Sequence, residues 1–496
     1  MIKKKQAIEE LLEGVLVPED EQPFLVPENW IWVRTQTTND IVTGSTPAKK
    51  KSEYYGGDFP FVKPADLEQG SEVIHASEYL TEEGKDVSRI IPKESTMVCC
   101  IGSIGKAGFN TVECTTNQQI NSLVPNKKMI DPKFNYYQIL NGTYQNELWN
   151  RSSATTVSII NKGKMSLIPY VFPPLNEQKR IAEKVERLLS KVDEAKQLIE
   201  EAKKTFELRR AAILDKAFRG DLTRKWREEN ADIDIFEVQE HLDRLRADKE
   251  SSPIKSNTLN VKSVNEDDEP FNLPRGWKWA RLGELSYYVT SGSRDWSKYY
   301  ANHGSYFIRT QDINKNKLNL ANVAYVLLPE KVEGKRSLVE PFDLLTTITG
   351  ANVGKCAIVE EIIPEAYVSQ SVALTKLIDK SMAQYVHLSL LSTCGGGGEL
   401  ENRAYGIGRP VLSLEDIKNI RLPIAPYRER QVIINMVKKL LDMEETTGNL
   451  LLLEEKLDQL KNSILSKAFR GEIGTNDPSE ESALELLKEM LQEQVN

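Results

Sequence analysis

From Glu177 to Phe218 the chain contains neither Pro nor Gly, and apolar side chains return at Ile181, Val185, Leu188, Val192, Ala195, Ile199, Ala202, Phe206 and Ile213. This 4,3,4,3 alternation, interrupted at Arg209, predicts an α-helix with a heptad seam. Pro173 and Pro174 stand before it and Gly220 after it, residues suited to starting and stopping a helix. About 42 residues at 1.5 Å rise make a rod of roughly 63 Å. A second series follows at Ile433, Val437, Leu440, Leu450, Leu453, Leu457, Leu460 and Ile464. Its period weakens at Thr446–Asn449, where a local irregularity is expected.

Between the helices the period shortens. "DFPFVKPADL", "STMVCCIG" and "INSLVP" read as short strands, while Asp131–Asn150 and Asp379–Thr393 read as helices. Residues 25–172 and 272–425 are therefore two α/β (α+β) domains. They are also copies of one another. "PFLVPENWIW" (Pro23–Trp32) matches "PFNLPRGWKW" (Pro270–Trp279), and Phe61 and Asp66 fall on Phe307 and Asp312. "TNQQI" answers to "VSQSV", and "PLNEQKRIAEKVERLL" to "PYRERQVIINMVKKLL". KAFRG occurs at Lys216–Gly220 and again at Lys467–Gly471.

A tandem duplication implies a pseudo-two-fold object built from one polypeptide. The expected layout is an N-terminal helix and linker (1–24), a first domain (25–172) and a spacer helix (173–220). A short helix and acidic linker (221–271), a second domain (272–425), a second spacer helix (426–471) and a C-terminal short helix (472–496) follow. Two seams packed antiparallel would hold the domains at opposite ends of a shared spacer.

Composition narrows the function classes. No apolar run approaches the roughly 18 residues of a membrane span, and the basic start of the chain leads into acidic residues rather than a signal-peptide core. Five cysteines without zinc-type spacing fit a reducing, cytoplasmic setting. The net charge of -8 would argue against a nucleic-acid partner, but it is unevenly spread. Residues 25–172 carry 15 basic and 15 acidic side chains, and 272–425 carry 18 and 15. Acidic linkers hide two domains that are neutral to basic.

No enzyme signature emerges. "GSIGK" and "GANVGKC" lack the spacing and the Ser/Thr of a phosphate loop. "FPPL" lacks the leading Asn/Asp of an amino-methyltransferase loop, and four scattered histidines offer no metal cluster. A single-chain nuclease or methyltransferase would need such a motif; a plain coiled-coil scaffold would not need paired domains with unlike loops.

Those loops suit DNA, with Arg and amides for base edges and Lys and hydroxyls for phosphates. In the first domain the candidates are Lys49, Lys50 and Lys51, then Lys63, Lys106, Gln118, Thr155 and Thr156. In the second they are Arg294, Trp296 and Lys298, then Arg309, Gln311, Lys355, Gln370, Arg403 and Arg409. Features kept between copies, such as Lys106/Lys355 and Gln118/Gln370, cannot discriminate different sequences and point to folding or phosphate contact. Loops that differ are better suited to base reading.

The layout resembles the specificity (S) subunit of type I restriction-modification systems. The resemblance is carried by "P..W.W" opening each domain, by "PPLNEQKRI" and "PYRERQVI" opening each long helix, and by "KAFRG" closing it. It covers roughly residues 20–475. The second copy departs at Arg430, where Gln is expected, and at Ile473–Gly474. The resemblance implies that each domain reads half of a bipartite double-stranded DNA target and that the helices set the gap. Two methyltransferase subunits using S-adenosylmethionine, and two restriction subunits using ATP and Mg, would carry the chemistry, with no cofactor on this chain. Two identical partners would need one docking surface shown twice. Lys216, Phe218, Arg219, Lys467, Phe469 and Arg470 are candidates, with the short helices near Ala7, Val238 and Ala483.

Overall fold

The computed structural model describes residues 2–495 apart from 155–156, 233, 253–255, 295, 315–316, 330–333, 407 and 446–447; the side chains of 2–8, 154, 297, 443–452 and 494–495 are also outside the described set. The chain forms two compact units, Met1–Glu200 with Leu450–Asn496, and Glu201–Asn449.

In the first unit, Ile31–Arg34 pairs antiparallel with Pro169–Phe172, so the α+β domain closes first strand on last. Inside that clasp lies an antiparallel sheet ordered Asn39–Thr43, Ile120–Pro125, Thr96–Cys99, Ala107–Phe109. A second sheet runs Glu78–Leu80, Tyr55–Val62, Cys114–Thr116, Ile90–Ile91, with one parallel pairing, Phe61 beside Thr115. Every residue of Thr96–Cys99 is buried, which is why "TMVC" reads as a continuous run rather than an alternation.

The second unit repeats the plan. Lys278–Arg281 clasps Arg421–Ile424. Its sheets are ordered Ser286–Ser291, Val372–Leu377, Leu344–Thr347, Cys356–Ile358 and Tyr300–Ala301, Ala324–Val326, Ser305–Ile308, Ala366–Val368. The parallel pairing recurs as Phe307 beside Tyr367. The aligned acids do the same work: Asp66 accepts from Lys63 N at 2.7 Å and Asp312 from Arg309 N at 2.8 Å.

Two expected helices are shorter than their sequence pattern. Asp131–Asn150 divides into Pro132–Leu140 and Gly142–Asn150, because Asn141 is extended (ψ 137°) and serves as the end of one and the start of the other. In the second domain the helix is Ala383–Leu391, after a 3₁₀ turn at Lys380–Met382. There the glycine run 395–398 allows a tight π turn before Gly398–Arg403.

The first long helix runs unbroken from Leu175 to Phe218. Ile181, Val185, Val192 and Ile199 are buried as the seam requires, but Leu189 and Leu214 take the buried places next to half-buried Leu188 and Ile213. The second long helical stretch comprises Tyr427–Glu445 and Gly448–Ala468. Of the expected irregularity at Thr446–Asn449, Thr446 and Thr447 lie outside the described residues. Leu453 and Leu460, expected in the seam, are exposed; the buried line runs through Ile464, Leu465 and Ala468 with half-buried Leu457. Over residues 453–468 the buried face is thus offset from the heptad read in sequence.

Within the first unit the two helical segments are antiparallel. Lys196 Nζ meets Asp458 Oδ1 at 2.5 Å, and Lys184 Nζ, three turns earlier, donates to Ile473 O at 2.5 Å.

Each KAFRG fixes a helix end to the α+β domain of its unit. Gly220 and Gly471 adopt φ of +79° and +75°, the left-handed cap conformation, and a Cβ there would overlap Pro274 and Pro27 respectively. Phe218 packs on Tyr385 at 5.3 Å and Phe469 on Phe134 at 5.2 Å. Arg219 lies 4.7 Å over Phe271, and Arg470 lies 4.6 Å over Phe24. The repeated phrase therefore buttons the first long helix to the second domain and the second to the first.

Candidate nucleic-acid interface

In each domain a set of loops is tied into one polar edge by backbone hydrogen bonds. In the first, Ser45 N donates to Thr116 O at 2.8 Å, joining loop 44–54 to loop 117–119. Cys100 N donates to Gln119 O at 2.7 Å, which adds the turn 100–105. Gly102 N then donates to Ser158 O at 3.0 Å, which adds a hairpin formed by Ser153–Ala154 and Ser158–Ile159.

The second domain repeats the same series. Gly292 N donates to Ser369 O at 3.2 Å, Ile348 N to Ser371 O at 2.9 Å, and Gly350 N to Pro410 O at 3.1 Å. Gly44 and Gly292 sit where the first loop crosses the next strand's backbone, and a Cβ would overlap a carbonyl oxygen at either position.

The predicted side chains divide by whether the protein has already bound them. Lys49, Lys50 and Lys51 are exposed on the first edge. Lys51 donates to the Tyr54 hydroxyl at 3.0 Å, and this bond raises its pKa above the ordinary lysine value. Gln118 is exposed, accepting from Thr46 Oγ1 at 2.5 Å. Lys63 and Lys106 are committed to Glu78 and Glu68, at 2.9 and 2.8 Å. Thr155 and Thr156 lie outside the described residues.

On the second edge Arg294, Gln311, Gln370 and Arg409 are exposed, as is Lys298, which lies 5.1 Å over Tyr299. Arg309 is held by Asp312 and by Asn322 O, Lys355 by Asn352, and Arg403 by Glu399 at 2.9 Å. Trp296, expected to reach DNA, is buried instead, stacked 5.9 Å from Phe307 with Tyr367 at 5.4 Å. Its ring finds more apolar surface against this sheet than the loop offers.

Phe218 and Phe469, expected at a partner surface, are likewise fully buried in the helix–domain joints. Lys216, Arg219, Lys467 and Arg470 remain exposed beside them. Val238 and Ala483 face the core of their short helices' packing, and the side chain of Ala7 is outside the described set.

The hairpin tips were not fully legible in the sequence. Val157 and Ile159 in the first domain and Tyr405 in the second are exposed apolar or aromatic groups at this edge. Val157, an apolar residue among the hydroxyl residues of 152–158, is the signal the sequence offers. Burial pushes the thiols of Cys100 and Cys394 up to about 11 and those of Cys114 and Cys356 up to about 12, so these cysteines are not thiolates near neutrality. Among the described residues no group of His, Cys, Asp and Glu is arranged to hold a metal, and no helix is long and apolar enough to cross a membrane.

A duplicated α+β domain, a long helix after each copy and a loop edge with unlike side chains are the features against which known proteins can be compared. Residues 27–204 match the family described as Type I restriction modification DNA specificity domain. Along its length the chain is related to type I specificity subunits. It is 25% identical to the EcoBI specificity subunit of Escherichia coli over 483 residues, covering 95% of this chain and 90% of that one. It is 22% identical to the EcoKI specificity subunit of E. coli K12, covering 90% of each. It is 24% identical to the MjaIX specificity subunit of Methanocaldococcus jannaschii, covering 90% of this chain and 94% of that one. A solved chain of a type I R-M system superposes with a TM-score of 0.65 at 18% identity, covering 91% of this chain and all of that one, and so shares its fold.

Proposed function

We propose that this chain reads DNA for a type I restriction-modification complex. Each α+β domain recognises one half of a bipartite duplex target through its loop edge, and the long helices set the gap between halves. The chain supplies no chemistry of its own. It holds two methyltransferase subunits, which use S-adenosylmethionine, and through them two restriction subunits, which use ATP and Mg. The exposed Lys216, Arg219, Lys467 and Arg470, with the outer faces of the short helices, form the surface offered twice to the methyltransferase.

One observation carries this reading: the same loop edge is built twice on matching backbone anchors, while the side chains it exposes differ. Lys49–Lys51 on one edge stand against Arg294 and Lys298 on the other. Matching anchors serve a shared task, and differing exposed groups serve two sequences.

Selection of bound fragments from random duplex DNA tests it. The full chain should enrich two short specific blocks separated by a fixed number of unspecified base pairs. Enrichment of no sequence, or of a single uninterrupted block, would refute the reading.

A further inference from the structure

The two return hairpins share the pairings of their described residues. Ser153 pairs with Ile159, and Tyr405 with Val411. Gly102 N reaches Ser158 O at 3.0 Å, and Gly350 N reaches Pro410 O at 3.1 Å. Ile160 N reaches Cys100 O at 3.0 Å, and Leu412 N reaches Ile348 O at 2.9 Å. Ile101 bridges Ile159 as Thr349 bridges Val411. This register leaves no freedom: Val157 and Arg409 occupy the same position.

Their chemistry is opposed. Val157 is 48% exposed, an aliphatic group in the turn of its hairpin, with Ile159 also exposed on the returning strand. Arg409 is exposed, and its guanidinium has no hydrogen-bond or ion-pair partner among the described residues. It differs in this from Arg403, which Glu399 holds. Each tip belongs to the hydrogen-bonded loop edge of its own domain, joined through two intervening loops to that domain's cationic loop. A branched aliphatic group there matches the 5-methyl of thymine. A guanidinium matches the paired acceptors O6 and N7 of guanine.

We propose that residues 157 and 409 are one base-reading position used twice, Val157 against a thymine methyl and Arg409 forked onto a guanine. This rests on the preceding reading, that each domain recognises half of a target. It adds which residue discriminates in each half and what base it selects.

The test is fragment selection with the full wild-type chain and with V157R, R409V and R409K. R409V should lose a roughly 5- to 150-fold preference for guanine at one position of the second half-site, with the first half-site unchanged, and R409K should keep only part of it. Lysine keeps the charge and can still donate to O6 and N7, but without the planar fork that fixes both bonds at once. V157R should replace thymine by guanine at one position of the first half-site. Replacing that thymine by uracil, which removes the methyl, should weaken wild-type binding severalfold and leave V157A indifferent.

Undiminished guanine preference in R409K, with R409V weakened on all sequences alike, would make Arg409 a phosphate anchor and overturn the proposal. Unchanged preferences in all variants would overturn it too. In both cases the wild type still selects a bipartite sequence and the function stands. A wild-type chain that selects nothing defeats the function, and this inference with it.

Discussion

Thr223 donates a 2.6 Å hydrogen bond to Glu429, 206 residues later in the chain, and neither side chain reaches solvent. The same carboxylate accepts from Arg227 at 2.5 Å and from the Trp277 indole at 2.8 Å. It thereby joins the turn after the first KAFRG, the opening of the second domain and the start of the second long helix. Glu177 is its counterpart, bound by Thr475 at 2.7 Å and Arg180 at 2.7 Å. There the arginine is more exposed, and the Trp30 indole nitrogen is buried without a partner.

Glu429→Ala leaves Arg227 and Trp277 facing an empty acceptor inside the protein. We expect a loss of about 3–5 kcal/mol in the stability of the second unit. Glu177→Ala should cost less, about 1–3 kcal/mol, because water reaches Arg180. Chemical denaturation with separate probes in each unit measures both. Equal losses would contradict the assignment of the larger burden to Glu429.

Gly220→Ala and Gly471→Ala should each destabilise by about 1–3 kcal/mol, since both require a left-handed backbone. The added methyl also meets Pro274 or Pro27. Removing the proline ring in a Gly220→Ala/Pro274→Ala double variant should recover the steric part and leave the backbone part. A shift in melting temperature that is strictly additive would show the two residues are not in conflict.

Replacing Lys49, Lys50 and Lys51 together by alanine should weaken binding to every duplex. It should also flatten the dependence of log K on log salt by up to about 2.7, about 0.9 for each phosphate the chain no longer neutralises. Lys106→Ala should leave both nearly unchanged, because Glu68 already occupies that ammonium. Titrations at several salt concentrations distinguish the two outcomes. A steep fall in affinity for Lys106→Ala would show the ion pair opening for DNA.

Lys249 donates to Gly283 O at 2.7 Å from a buried position, and burial pushes its pKa down to about 8. Between pH 8 and about 10 the native ammonium has given up its proton while the unfolded one, near its ordinary value of about 10.4, has kept it. The unfolded state binds more protons, so this residue makes stability rise with pH across that window. Lys249→Met should flatten the rise, as read from denaturation midpoints at pH 8, 9 and 10. Parallel curves for the two proteins would rule the effect out.

The duplication, the α+β domains and the long helices were legible because each rests on local pattern. Heptads, flanking prolines and the glycine stop need no knowledge of distant partners. What sequence could not give was the fate of side chains whose surroundings are assembled from afar. Trp296 reads as a DNA-facing aromatic until the strands bearing Phe307 and Tyr367 are placed around it. Phe218 reads as a repeated surface mark until Tyr385, far along the chain, covers it. Among the loop cations, pattern alone did not separate Lys63, bound to Glu78, from Lys49, which stands exposed.

The second unit is a continuous stretch, Glu201–Asn449, whereas the first is assembled from Met1–Glu200 and Leu450–Asn496. During synthesis, then, the earlier-made α+β domain must wait. Phe134 meets Phe469, and the core is completed by Ala468, Ala483 and Leu487, all from the end of the chain. The later-made unit has its whole core once residue 449 has left the ribosome. A nascent chain stopped just beyond that point would carry one finished α+β unit and one with its apolar face open to chaperones.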